Sequence, residues 1–158
     1  MDANRIRISF PDEKTDYSVV AKLELQYAPK TCAAACDFLV KQGGGFTGRV
    51  FHTIFNGFML GLPDFNLPED LPEENGTVTP AQGEVVYIYL PAGAERRMMK
   101  PDHNFAVFYG PDSRIFAPMG WWRGRVFGRV TEKLDVLADM GKLVREEGRR
   151  RMRVELVP

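Results

Sequence analysis

Period-two alternation recurs along this chain far more often than helical spacing does. Ile6, Ile8 and Phe10 fall on one side of Arg5–Phe10, with Arg5, Arg7 and Ser9 on the other, the signature of a half-buried strand. Pro11-Asp12-Glu13-Lys14 supplies a turn. Tyr17–Tyr27 alternates again, with Val19, Ala21, Leu23 and Leu25 on one face, so the first two strands form an antiparallel hairpin. Strands are also predicted over 50–59, 84–90, 105–109, 125–131 and 149–157. The first of these contains Asn56-Gly57, a tight-turn pair. Tyr87 and Tyr89 share a face of the 84–90 strand.

Helical spacing is confined to two places. Ala28-Pro29-Lys30-Thr31 opens a helix, with proline where its missing N–H costs nothing. Cys32, Ala35, Cys36 and Leu39 form its buried stripe, and Gly43-Gly44-Gly45 ends it. The triple glycine is no phosphate loop, because it closes a helix and no Lys-Ser/Thr follows it. The second helix is predicted over 132–147, on Leu134, Leu137, Ala138, Leu143 and Val144. Many strands, two helices and no βαβ alternation predict a mainly β, closed antiparallel barrel with helical caps, a single domain over 1–158. Residues 61–82 are proline-rich and acidic and read as a long surface loop, as does polar 93–104.

Composition narrows the function classes. At 158 residues, one sizeable core fits. Twenty-one basic residues balance twenty-one acidic ones, so no overall field draws in nucleic acid or an anionic membrane. No apolar run approaches the roughly 18 residues of a membrane span. Met1-Asp2-Ala3-Asn4-Arg5 precedes no signal-peptide core, which predicts a cytoplasmic protein. Cys32 and Cys36 are the only cysteines and lie far from His52 and His103, so no metal site and no cofactor is expected. Arg149, Arg151 and Arg153 share a strand face that Glu155 continues, which reads as a solvated face rather than a nucleic-acid site.

Several segments, taken in order, resemble cyclophilins: Ala28-Pro29-Lys30-Thr31, Phe51-His52, Gly57-Phe58-Met59 with Asp64-Phe65, Trp121-Trp122-Arg123-Gly124, and Val126-Phe127-Gly128-Arg129-Val130. The likeness runs from about residue 5 to 157, is strongest at 48–65 and 120–140, and is poor over 66–104. The length and the Glu74-Asn75-Gly76-Thr77-Val78-Thr79-Pro80 stretch are more similar to a group of small bacterial cyclophilin-like proteins of unassigned function. The resemblance implies an eight-stranded barrel capped by two helices. It also implies a prolyl isomerase site: an arginine that weakens amide resonance, glutamines and a histidine that hold the peptide, and an apolar pocket for the proline ring.

Carried over by position, that site is half present. Phe58 and Met59 match its apolar wall, Phe108 or Tyr109 stands for the pocket phenylalanine, and Trp121 stands in the tryptophan position. Thr53 replaces the arginine and Gly61 a glutamine; Ala106 or Val107 falls where the second glutamine belongs, and no histidine stands between Gly124 and Phe127. A neutral hydroxyl offers one donor where a guanidinium offers five and a fixed charge. Losing one donor aimed at transition-state charge costs other enzymes roughly 10²–10³ in rate.

Each residue also has a plain structural reading. His52 fits a hydrogen-bonded barrel histidine, and Phe58, Met59 and Phe65 fit a core. Trp121 and Trp122 point to opposite faces, so one meets solvent, a ligand or another subunit, and a homo-oligomer is among the expectations. Three functions follow. The favoured one is a protein that binds a small apolar ligand or peptide in the former proline pocket lined by His52, Thr53, Phe58, Met59, Gly61, Phe108, Tyr109 and Trp121. The second is an isomerase that recruits Arg49, Arg114, Arg123 or Arg125. The third is another enzyme built on Thr53, Tyr87, Tyr89 and a nearby Arg or Glu.

Overall fold

The protein is described by a computed structural model covering residues 4–53 and 56–158. Ile54 and Phe55 of the predicted 50–59 strand, and Met1-Asp2-Ala3 of the N-terminal reading, lie outside the described residues. In chain order the elements are β1 (Arg5–Ser9), β2 (Ser18–Leu23), α1 (Pro29–Lys41), β3 (Gly45–Arg49), β4 (Met59–Pro63), β5 (Gly76–Thr77), β6 (Glu84–Leu90), β7 (Asp102–Phe108), β8 (Phe116–Ala117), β9 (Gly120–Trp121), β10 (Gly124–Val130), α2 (Leu134–Glu147) and β11 (Arg151–Val157).

The protein is mainly β, with antiparallel pairing throughout. The main sheet runs β3-β11-β1-β2-β10-β6-β7-β4, with β5 attached to β10, and β8-β9 forms a separate small ribbon. The β1–β2 hairpin forms as the alternation predicts, with Ile6 opposite Ala21 and Ile8 opposite Val19. At the two ends of the order, β3 and β4 approach each other. Just beyond β3, Phe51 pairs with Gly61 of β4 through two backbone hydrogen bonds, of 2.8 and 2.9 Å.

The β-rich stretch over 50–59 is interrupted at Asn56-Gly57, as that turn pair predicts, and among its described residues only Met59 belongs to a strand. Strands lie on either side of it, in β3 and β4, and Phe51 makes only an isolated bridge. Asn56-Gly57 breaks the extended run, with Gly57 at φ +78°. The residues credited with ending α1 do part of what was expected. Gly43 and Gly44 take positive φ, but Gly45 already belongs to β3, paired with Glu155. Residues 61–82 also contain the end of β4 and the short β5.

One face of the main sheet carries the larger core. Ile6, Ile8, Val19, Ala21, Leu60, Leu62, Phe105, Val107, Phe127 and Val154 pack there with Cys32, Ala35 and Leu39 of α1 and Leu137, Met140 and Val144 of α2. Pro29 opens α1 as expected. The Cys32 thiol is buried against the Phe127 carbonyl, 3.3 Å away, and burial pushes its pKa up to about 12. The opposite face of β11 is a solvated row of ion pairs, in which Arg151 meets Asp12 at 2.7 Å and Arg153 meets Glu155 at 2.6 Å. Among the described residues, no helix is long and apolar enough to cross a membrane.

Candidate functional site

The residues expected to form one pocket fall on two sides of the sheet. Met59, Ala106 and Phe108 lie on the outer face, in a second core with Val86, Ile88 and Val126. Gly61 belongs to this side as well, directly opposite Ala106. This apolar face is not open. Ile115, from the loop before β8, is 1% exposed within it, and Phe51 and Trp122 pack along it. The Phe51 ring lies so close over Gly61 that a Cβ there would collide with it. Asn56 ties the covering loop down, accepting a 2.8 Å hydrogen bond from the Phe116 N–H through its side-chain oxygen. Thr53 has its hydroxyl oxygen buried, with no hydrogen-bond partner among the described residues.

His52, Phe58 and Tyr109 gather elsewhere. The His52 ring and the Tyr109 hydroxyl share a 2.5 Å hydrogen bond, and the Phe58 ring meets Tyr109 edge-on. Tyr109 packs over Gly141 of α2, where no Cβ would fit. Arg145 of α2 sits beside both polar groups. Burial holds the His52 imidazole below its ordinary pKa, with Arg145 adding to the effect; burial raises Tyr109, with Arg145 opposing. His52 is thus a hydrogen-bonded structural histidine in this geometry, neutral and clamped to Tyr109.

The two tryptophans part company as the strand geometry requires. Trp121 is 59% exposed on the β8–β9 ribbon, edge-on to exposed Phe116. Trp122 turns inward onto the outer apolar face and donates from Nε1 to the Tyr89 carbonyl at 2.8 Å.

A third group was only partly visible in the sequence. On the inner face, Arg125 of β10 stands directly opposite Tyr87 of β6, and Tyr89 stands opposite His103 of β7. The Arg125 guanidinium lies over the Tyr87 ring, 5.5 Å from its centroid. Tyr87 and Tyr89 stack at 6.4 Å and 13°. The Tyr87 hydroxyl and His103 Nδ1 are 2.7 Å apart. Arg125 is 9% exposed, yet no carboxylate lies within ion-pair distance of it among the described residues. Burial raises the Tyr87 phenol, with Arg125 opposing, and burial holds His103 low, with Glu69, Asp102 and Asp64 opposing. His103 also borders a cavity of about 540 Å³ between α1 and residues 66–69, walled by Phe38, Leu67, Pro68, Glu69 and Lys41. Tyr87 and Tyr89 were marked by their shared face. His103 had no sequence signal. Arg125 had a faint one: it stands two residues before Phe127, so alternation points it inward.

Of the candidate arginines, Arg125 faces away from Met59 and Phe108, because its neighbour Val126 holds the outer face. Arg123 pairs with Glu73 at 3.4 Å. Among the described residues, no group of three or more His, Cys, Asp or Glu side chains could hold a metal.

This antiparallel sheet with two helices packed on one face is a fold shared with solved cyclophilins. The chain is similar to a cyclophilin-type peptidyl-prolyl cis-trans isomerase of Cryptosporidium parvum, with a TM-score of 0.54 and 12% identity over 98% of both chains. A structure of that isomerase in the presence of the dipeptide Ala-Pro gives 0.51. McbB in complex with tryptophan gives 0.59 at 17% identity; 95% of this chain is covered but only 44% of McbB, so the chain spans less than half of that protein. No curated protein matches the sequence. The chain belongs to the DUF3830 family, described as a protein of unknown function, whose profile matches residues 12–156.

Proposed function

We propose that this protein binds a small molecule or short peptide on a cyclophilin-like scaffold, and that its prolyl isomerase activity is weak or absent. The observation that carries this reading is the state of the outer apolar face. Where cyclophilins take a proline ring, this chain packs its own Phe51, Ile115 and Trp122 against Met59 and Phe108. Phe51 covers Gly61, which leaves no room for the side chain of a glutamine, and Thr53 brings a neutral hydroxyl in place of an arginine. Neither half of the isomerase site is then available to a prolyl peptide. Ligand binding is supported instead by the inner polar group, where Arg125 has no carboxylate within ion-pair distance among the described residues.

The same reading has finer parts. The Phe51–Gly61 bridge, between the two ends of the strand order, supports closure of the sheet into an eight-stranded barrel. The Glu74–Pro80 stretch supports a place among small bacterial cyclophilin-like proteins. Exposed Phe116, Met119 and Trp121 support self-association.

The test is exchange NMR on a short Xaa-Pro peptide, with wild type and Thr53→Arg. Wild type is expected to leave the exchange rate at its uncatalysed value, and Thr53→Arg to restore nothing, because the apolar face is already filled. Efficient turnover by wild type would overturn the reading. Restored turnover in Thr53→Arg would show that the outer face opens to proline.

A further inference from the structure

Met99 is the most exposed large apolar side chain among the described residues, at 87%. It lies in the loop that joins β6 to β7, in the run Arg96-Arg97-Met98-Met99-Lys100. The loop closes on its own backbone. The Gly93 N–H donates to the Met98 carbonyl at 2.9 Å, the Ala94 N–H to Pro91 at 3.0 Å and the Met98 N–H to Glu95 at 2.9 Å. That shape holds Met99 out in water, where an apolar thioether gains nothing. Arg96, Arg97 and Lys100 are exposed beside it, and among the described residues no carboxylate lies within ion-pair distance of them. The loop's one acid, Glu95, is turned back on the loop, its carboxylate accepting from the Arg97 N–H at 3.0 Å. Asp102, the next acid, opens β7 opposite Leu90.

A second apolar projection stands at the same end of the sheet, and strand pairing puts it there. β6 and β10 are antiparallel, with Arg125 opposite Tyr87, so the end of β6 meets the start of β10. The β8–β9 ribbon lies just before β10, and Trp122 Nε1 ties it to the Tyr89 carbonyl, just before the loop begins. The ribbon exposes Phe116, Met119 and Trp121. Four of the eight exposed large apolar side chains among the described residues, Met99 included, are thus gathered at the end of the sheet that carries the three unpaired cations.

We propose that this end of the sheet docks onto an anionic lipid bilayer, with Met99 and Trp121 entering the headgroup region and Arg96, Arg97 and Lys100 meeting the lipid charges. Tryptophan is favoured at that depth, because its ring is apolar and its N–H is polar. Each cation close to an anionic leaflet strengthens binding about fivefold. Three cations fall short of the roughly four to eight that hold a segment to anionic lipid by charge, and the apolar side chains supply the second signal. The neutrality of the whole chain does not cancel the local charge, since exposed charges more than about 10 Å apart are largely screened. A second copy fits this surface less well, because a two-fold contact would bring the same cations together from both sides. The docking surface is independent of the ligand-binding reading above.

The test is co-sedimentation of the full chain with vesicles of phosphatidylcholine, with and without added phosphatidylserine, alongside sedimentation velocity in the absence of lipid. Binding is expected with phosphatidylserine, at least about tenfold weaker without it, and weaker as salt rises. Arg96→Gln with Arg97→Gln should lower the affinity by about 25-fold, the effect of two cations. Met99→Ser should lower it by about tenfold, the effect of one apolar side chain kept in water. Vesicles should shift the tryptophan emission of wild type to the blue, and Trp121→Ser should remove that shift, because Trp122 already packs on the outer apolar face. The comparison of the two vesicles on wild type stands even if a variant does not fold. Equal binding to both vesicles, no binding to either, or binding unchanged by the arginine or Met99 substitutions would overturn the proposal. A lipid-free dimer that Trp121→Ser dissociates would also overturn it, and would give this surface to a second copy.

Discussion

The two histidines of the sequence, His52 and His103, each end as a neutral partner of a tyrosine. His52 bonds Tyr109, His103 bonds Tyr87, and burial lowers the pKa of both. The sign of the pH effect follows. A histidine whose folded pKa is depressed below its ordinary 6.5 leaves the unfolded chain binding more protons in between. Its contribution to stability is complete above about pH 6.5 and is lost as pH falls through the folded pKa. The carboxylates of Asp12 and Glu155, held low by hydrogen bonds from Arg151 and Arg153, lose theirs only below their ordinary values of 3.8 and 4.5. Urea midpoints measured from pH 7.5 down to 5 should therefore fall in wild type, and the fall should shrink in His103→Gln. A flat wild-type profile over that range would show that the histidines are not held neutral by the fold.

At the scale of elements, α1 shows how a helix can be specified in one place and completed in another. Pro29 and the spacing of Cys32, Ala35 and Leu39 were enough to locate it. Its N-terminus has no cap of its own, because Ala28 at the N-cap offers no side-chain acceptor. Glu74 supplies one from the acidic loop, accepting from the Thr31 N–H at 2.7 Å, the Lys30 N–H at 3.2 Å and the Thr31 hydroxyl at 2.9 Å. Burial opposes its charge, but these bonds outweigh it and hold the carboxyl below its ordinary value. The acidic segment that read as a long surface loop thus contains a cap that ties it to the helix. Glu74→Ala is expected to cost about 0.5–2 kcal/mol, with Glu74→Gln losing less, because the amide keeps an acceptor but not the charge at a helix N-terminus. Chemical denaturation measures both, and a Glu74→Ala variant as stable as wild type would mean that the contact adds nothing.

The molecule as a whole depends on how its sheet edges are treated. β6, β7 and β10 are paired along their length, whereas β3 and β4 meet through the Phe51–Gly61 bridge. An element held by a single bridge opens at a lower free energy than one paired on both sides. Native-state hydrogen exchange should therefore find the amides of Phe51 and Gly61 protected, yet exchanging faster than those of Tyr87 and Ala106. Equal protection at all four positions would mean that the bridge opens only with global unfolding. No protection at Phe51 and Gly61 would argue against closure of the sheet.

What the sequence determined by itself is the set of elements whose information is local. Alternation located β1 and β2, which bury one face each, and apolar spacing located both helices. β6, β10 and β11 were also legible, whereas β7 was read only from Phe105, since Asp102, His103 and Asn104 look like the end of a polar loop until β6 pairs with them. That Thr53 and Gly61 bring neither a guanidinium nor an amide was legible for a similar reason, since the identity of a residue needs no coordinates. Tertiary structure alone decided what depends on partners distant in the chain. The glycine-rich start of β3 becomes a strand because β11 pairs with it. The outer apolar face is sealed because Ile115 and Trp122 fold back onto Met59 and Phe108. Arg125 comes to lie over an aromatic ring because β6 brings Tyr87 opposite it on its side of the sheet. Periodicity records which way a side chain points; only the completed pairing of strands fixes what it meets there.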